Sequence, residues 1–88
     1  MDKTTVLEKQ AQFLFPGTIN YYKEPLVLAS GEGMYVTDVE GERYLDFFGG
    51  ILTVSLGHCH EGINEAVIEQ LRTLGHTSTL YPNEWIVA

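Results

Sequence analysis

The chain has 88 residues, enough for one small domain; a domain of that length buries only about 60% of the surface its unfolded chain exposes and is marginal by itself. Twelve acidic residues against five basic ones leave a formal net charge of −7, the wrong sign for a nucleic-acid or anionic-membrane surface. A single cysteine, Cys59, excludes an internal disulfide, and no run approaches the roughly 18 apolar residues that a membrane span needs.

The first residues, Met1-Asp2-Lys3-Thr4-Thr5, carry neither the apolar core of a signal peptide nor the arginines of a transit peptide, so a soluble, cytoplasmic protein is expected. Thr5 and Glu8 have capping-box spacing, and Leu7, Ala11 and Leu14 share one face, which predicts a helix over about 5–14 that stops before Pro16-Gly17. Phe13 and Phe15 widen its apolar stripe, as in a helix packed against a bulky neighbour. The next stretch, Thr18 to Glu24, has no clear period. Its pair Tyr21-Tyr22 either lines a pocket or covers a sheet edge, and the residues by themselves favour the second.

Three apolar or β-branched runs follow, Leu26 to Ser30, Met34 to Asp38 and Arg43 to Phe48. Gly31-Glu32-Gly33 suits a tight reversal between the first two. Between the second and third, Asp38 can bond backbone two residues on and Gly41 can supply a positive φ, which predicts a type I turn with a bulge. The expected product is a three-stranded antiparallel meander over about 26–48.

Phe47 to Gly57 is eleven residues without a charge, with Gly49-Gly50 inside it. Such a loop, 49–60 in full, is either covered by protein or is itself a binding surface, and its glycines let a ligand or a second backbone come close. His58-Cys59-His60 offers good zinc ligands, but adjacent residues lack the usual ligand spacing and no fourth ligand stands nearby, so no metal site is assigned. Ile63, Ala66, Val67, Leu71 and Leu74 then fall at helical spacing, predicting an amphipathic helix over about 61–74. Glu61 and Glu65 near its start and Arg72 near its end suit the helix dipole, with Gly75 expected as the left-handed C′ residue and His76 near the last carbonyls.

Beyond a polar connector, Asn83 is a plausible N-cap for a further helix starting at 84–88. One turn ending on Trp85-Ile86-Val87-Ala88 predicts a sequence that continues in a longer protein. Gly31 and Gly33 begin like a dinucleotide fingerprint, but Val36 stands where a third glycine belongs and no helix follows.

The run GEGMYVTDVEGERYLDFFGGI, then LGHCH, then a helix ending before HTSTLY, resembles the N-terminal segment of the class III aminotransferases, pyridoxal-phosphate enzymes of fold type I. The likeness covers about Leu7 to the end. YLDFFGGI, TVS, GHCH and HTST look most like the branch containing alanine:glyoxylate type 2 and 4-aminobutyrate aminotransferases. Glu61 departs from the family's usual proline at that position.

This resemblance implies an α+β fragment, the N-terminal part of an α/β enzyme whose cofactor domain is absent here. It implies pyridoxal 5'-phosphate in the complete protein, amino acid and oxo acid substrates of glyoxylate or pyruvate type, and a homodimer. Gly50 and Ile51 match positions that approach and contact substrate, and Tyr21 or Tyr22 matches a tyrosine-bearing region at the substrate entrance. Ornithine-specific members carry tyrosine at the position of Ile51, so isoleucine there disfavours ornithine and fits alanine or short ω-amino acids. The family's cofactor-holding lysine lies far downstream, whereas Lys3, Lys9 and Lys23 all precede the motif. No catalytic or cofactor-binding residue is therefore assigned, and the chain alone is expected not to transaminate. The alternative is a small standalone interaction module derived from such a scaffold.

Overall fold

A computed structural model describes residues 1–87. The N-terminal helix spans Lys3–Phe13, starting two residues before its expected place. Asp2 rather than Thr5 is the cap: its Oδ1 accepts from the Thr5 N–H at 2.8 Å and its Oδ2 from the Thr5 hydroxyl at 3.1 Å. Aspartate is as strong a cap as serine or threonine, and it takes the very hydroxyl that a box with Glu8 would have needed. Leu14 turns extended at the other end, ahead of Pro16, whose ring and missing N–H would break a further turn.

The meander forms as an antiparallel sheet of β1 (Leu28–Glu32), β2 (Tyr35–Asp38) and β3 (Arg43–Leu45), in that spatial order. Asp38 organises the second hairpin. Its Oδ1 accepts from the Glu40 and Glu42 N–H groups, its Oδ2 from the Tyr44 hydroxyl, and Gly41 sits at φ +91°. The first reversal is displaced from the expected one. Gly31 pairs with Val36 and Glu32 with Tyr35, so the turn is Gly33-Met34, with Gly33 at φ +55°. Gly31 is needed instead for room: a Cβ there would lie 2.8 Å from the His58 ring.

The long helix runs Glu61–Thr73, close to its expected span. Its end differs, because Gly75 is not left-handed and the Gln70 side chain donates to the Leu74 carbonyl. A last turn covers Glu84–Val87, with Asn83 Oδ1 accepting from the Trp85 and Ile86 N–H groups. Ala88, included in the expected helix, lies outside the described residues.

Burial is concentrated in β2, where Val36 is 8% and Asp38 5% exposed. Among the described residues the strands are the only elements packed against one another. Ile63, Val67, Leu71 and Leu74, the apolar face of the long helix, all stand exposed.

Candidate functional site

The uncharged stretch 47–57 was expected to be an irregular loop, yet its first half is a turn of unusual hand. Gly49, Gly50, Ile51 and Leu52 have φ of 56°, 60°, 62° and 62°, and the Thr53 N–H returns to the Gly49 carbonyl at 2.8 Å. Four successive residues thus wind left-handed. The two glycines do so freely, whereas a β-branched isoleucine at positive φ is an outlier that its surroundings must hold. Thr53 adds a hydroxyl bond to the Gly50 carbonyl at 2.7 Å.

Asp46, immediately after β3, holds the start of this turn. Its Oδ1 accepts from the Phe48 and Gly49 N–H groups, both at 2.9 Å, and its Oδ2 lies 2.6 Å from His58 Nε2. An ionised carboxylate only accepts, so the proton between them sits on Nε2. The Gly49 N–H and then the His58 ring hold the Asp46 carboxyl below its usual range, against a smaller opposing effect of burial. His58 in turn exchanges two backbone hydrogen bonds with Gly33, at 2.7 and 3.0 Å. Loop 47–57 is thereby closed at its base and anchored to the first hairpin. A cleft of about 480 Å³ opens there, lined by Gly33, Met34, Asp46, Gly49, Leu56 and His58.

Of the sequence-derived candidates, Ile51 projects outward and is 74% exposed. Tyr21 lies edge-on to Phe48 with ring centroids 5.4 Å apart, and Tyr22 is 5.5 Å from Tyr21. The tyrosines therefore approach the residue that precedes the left-handed turn. Neither they nor Gly50 and Ile51 line the cleft. Asp46 and Phe48 escaped the sequence reading, and His58 was weighed there only as a metal ligand and not as the partner of Asp46. The available signal was that Asp46 and His58 are the ionisable residues bracketing the uncharged run. Cys59 is exposed, and among the described residues no group of three ligating side chains is poised for a metal. No described helix is long and apolar enough to cross a membrane.

The family model for Aminotransferase class-III matches residues 18–88. Human alanine--glyoxylate aminotransferase 2, mitochondrial, is 47% identical over 76 residues, which cover 86% of this chain and 15% of that protein. Acetylornithine aminotransferase of Mycolicibacterium smegmatis is 57% identical over 65 residues, 74% of this chain and 17% of that protein. Among solved structures, an ornithine aminotransferase of Toxoplasma gondii, described as having partial occupancy of PLP at its active site, superposes with a TM-score of 0.84 at 26% identity. That superposition covers 94% of this chain and 19% of the other. The chain thus spans about one sixth of the length of the curated relatives it matches.

Proposed function

The chain belongs to the class III aminotransferases, and from that premise we propose that it forms the substrate-side N-terminal segment of an enzyme moving an amino group from an amino acid to an oxo acid. The observation that carries this reading is the left-handed turn, which thrusts Ile51 outward three residues after Phe48, the aromatic partner of Tyr21. A stiff turn presenting one branched apolar side chain is suited to forming one wall of a substrate pocket. It offers no group that could move a proton.

The residues described do not fit the pyridoxal phosphate of such enzymes. Lys3 and Lys9 lie on the N-terminal helix and Lys23 before Pro25, and none lines the cleft at the loop. The long helix begins with Glu61 and has no side-chain cap, an N-terminus that repels a phosphate rather than receiving one. The cofactor, which supplies the electron sink for transamination, would be held by other parts of the complete protein, and this segment would not transaminate alone. Alanine or a short ω-amino acid is the donor that suits Ile51, with glyoxylate or pyruvate as acceptor, in a homodimer.

Reading the frame beyond Ala88 and assaying its product tests the proposal. A complete enzyme should transfer amino groups from alanine or a short ω-amino acid to glyoxylate or pyruvate. Ile51→Tyr should shift its kcat/KM ratio toward ornithine by about tenfold, a usual size for one apolar contact. No amino transfer by that product, or an unchanged ratio, overturns the reading. Fractionating cells that express it decides between a cytoplasmic place and the mitochondrial one in the human relative's name.

The exposed apolar face of the long helix also suits the standalone interaction module. That reading requires the isolated 88-residue chain to be monodisperse and to capture a partner without any cofactor domain.

A further inference from the structure

We propose that Asp46 and His58 are positioning residues that clasp loop 47–57 and set the hand of the turn carrying Ile51; the consequence for substrate rests on the reading that Ile51 faces it. The clasp has three parts. Asp46 Oδ2 meets His58 Nε2 at 2.6 Å and closes the two ends of an eleven-residue loop. The other carboxylate oxygen collects the Phe48 and Gly49 N–H groups, fixing the entry to the left-handed residues. The His58 backbone pairs with Gly33 while its ring fills the space above Gly31, so the closed loop is fastened to the hairpin rather than floating on it.

The chemistry makes the pair specific. One carboxylate satisfies two backbone donors and one imidazole at once, which a shorter or apolar side chain cannot do; asparagine can, by accepting both amides on its carbonyl and donating its own N–H to the other imidazole tautomer. The left-handed arrangement costs free energy at Ile51 and Leu52, and nothing inside loop 47–57 is charged. Thr53 closes the turn from within through the Gly49 and Gly50 carbonyls, and the charged contact that fixes its entry comes from the bracket. A compact loop whose ends are held together is a common way to present a functional side chain on an otherwise ordinary surface.

Nuclear magnetic resonance of the isotope-labelled full chain reads the clasp directly. A positive φ gives a strong intraresidue amide–Hα Overhauser effect at Ile51. This signal should persist in Asp46→Asn, whose carbonyl still accepts from the two amides, and vanish in Asp46→Ala and His58→Ala. Effects between Val36 and Tyr44, paired across β2 and β3, should remain in all three variants and so report that the sheet is intact.

In the holoenzyme, Asp46→Ala should raise the KM of the amino donor about tenfold with kcat little changed, the signature of lost uniform binding, and Asp46→Asn should recover most of it. A merely structural defect would lower the amount of active enzyme and leave KM alone. If Asp46→Ala and His58→Ala both keep the Ile51 signal, the clasp is overturned. If they lose the signal while Ile51→Tyr leaves donor selectivity unchanged, the clasp stands and the substrate reading fails.

Discussion

Two aspartates carry much of the local order, and both do so as carboxylates. Burial alone would push the Asp38 carboxyl up, but the Glu42 N–H, the Tyr44 hydroxyl and the Glu40 N–H together outweigh it and its net direction is down. Bonding to that carboxylate pushes the Tyr44 phenol up. Asp46 is lowered by Gly49 first and His58 second. A carboxyl lowered in the folded state stabilises it fully above the unfolded value of about 3.9 and loses that contribution as pH falls through the lowered folded value. Both turns should therefore hold through neutral pH and loosen below about pH 4. The amide resonances of Phe48 and Gly49, and separately of Glu40 and Glu42, should move in that acid window. Asp46→Asn should abolish the first response and leave the second.

At the scale of elements, the left-handed conformation occurs both where the sequence asks for it, as at Gly41, and where it does not, as at Leu52. Gly41 at φ +91° completes the Asp38 turn, and Gly41→Ala should cost the sheet about 1 kcal/mol because a Cβ is disfavoured there. Leu52 has φ 62° and is 85% exposed, so it has strain to lose and little burial. Leu52→Gly should stabilise the chain by about 1 kcal/mol, and urea unfolding of the two variants measures both signs.

This contrast explains what was legible in the sequence. The second hairpin, its Asp–Gly turn chemistry and the long helix follow from local preference, which agreed with the fold. The left-handed turn was hidden because Ile51 and Leu52 contradict their own preference, and such contradictions concentrate where a side chain is held for use. The clasp was hidden for a different reason: Asp46 and His58 are twelve residues apart, and only the return of the loop to Gly33 brings them together. At Asp2 and Gln70 a side chain simply took the capping role that the sequence reading gave to a neighbour.

For the whole molecule the deciding quantity is surface. The Cα radius of gyration is 17.3 Å, against about 12 Å for a compact domain of this length. The accessible surface is 7902 Å², against about 5,200 Å² for a compact monomer of this mass. The excess, about 2,700 Å², is the size of an obligate interface rather than of a transient contact. The uncharged loop and the apolar helix face made the need for a cover legible in the sequence, although neither says what supplies it.

Unfolding offers a direct measure of that openness, because the denaturant slope scales with the surface newly exposed. The unfolded chain exposes about 14,400 Å², so a compact fold would release about 9,200 Å² and this one about 6,500 Å². The urea m-value of the dilute 88-residue chain should accordingly be about 0.7 of that for a compact domain of equal length. A full-size m-value independent of concentration would mean that the long helix folds back onto the sheet in solution. A slope and midpoint that both rise with concentration would instead mean that a second copy covers the apolar face, since association stabilises only the folded partner.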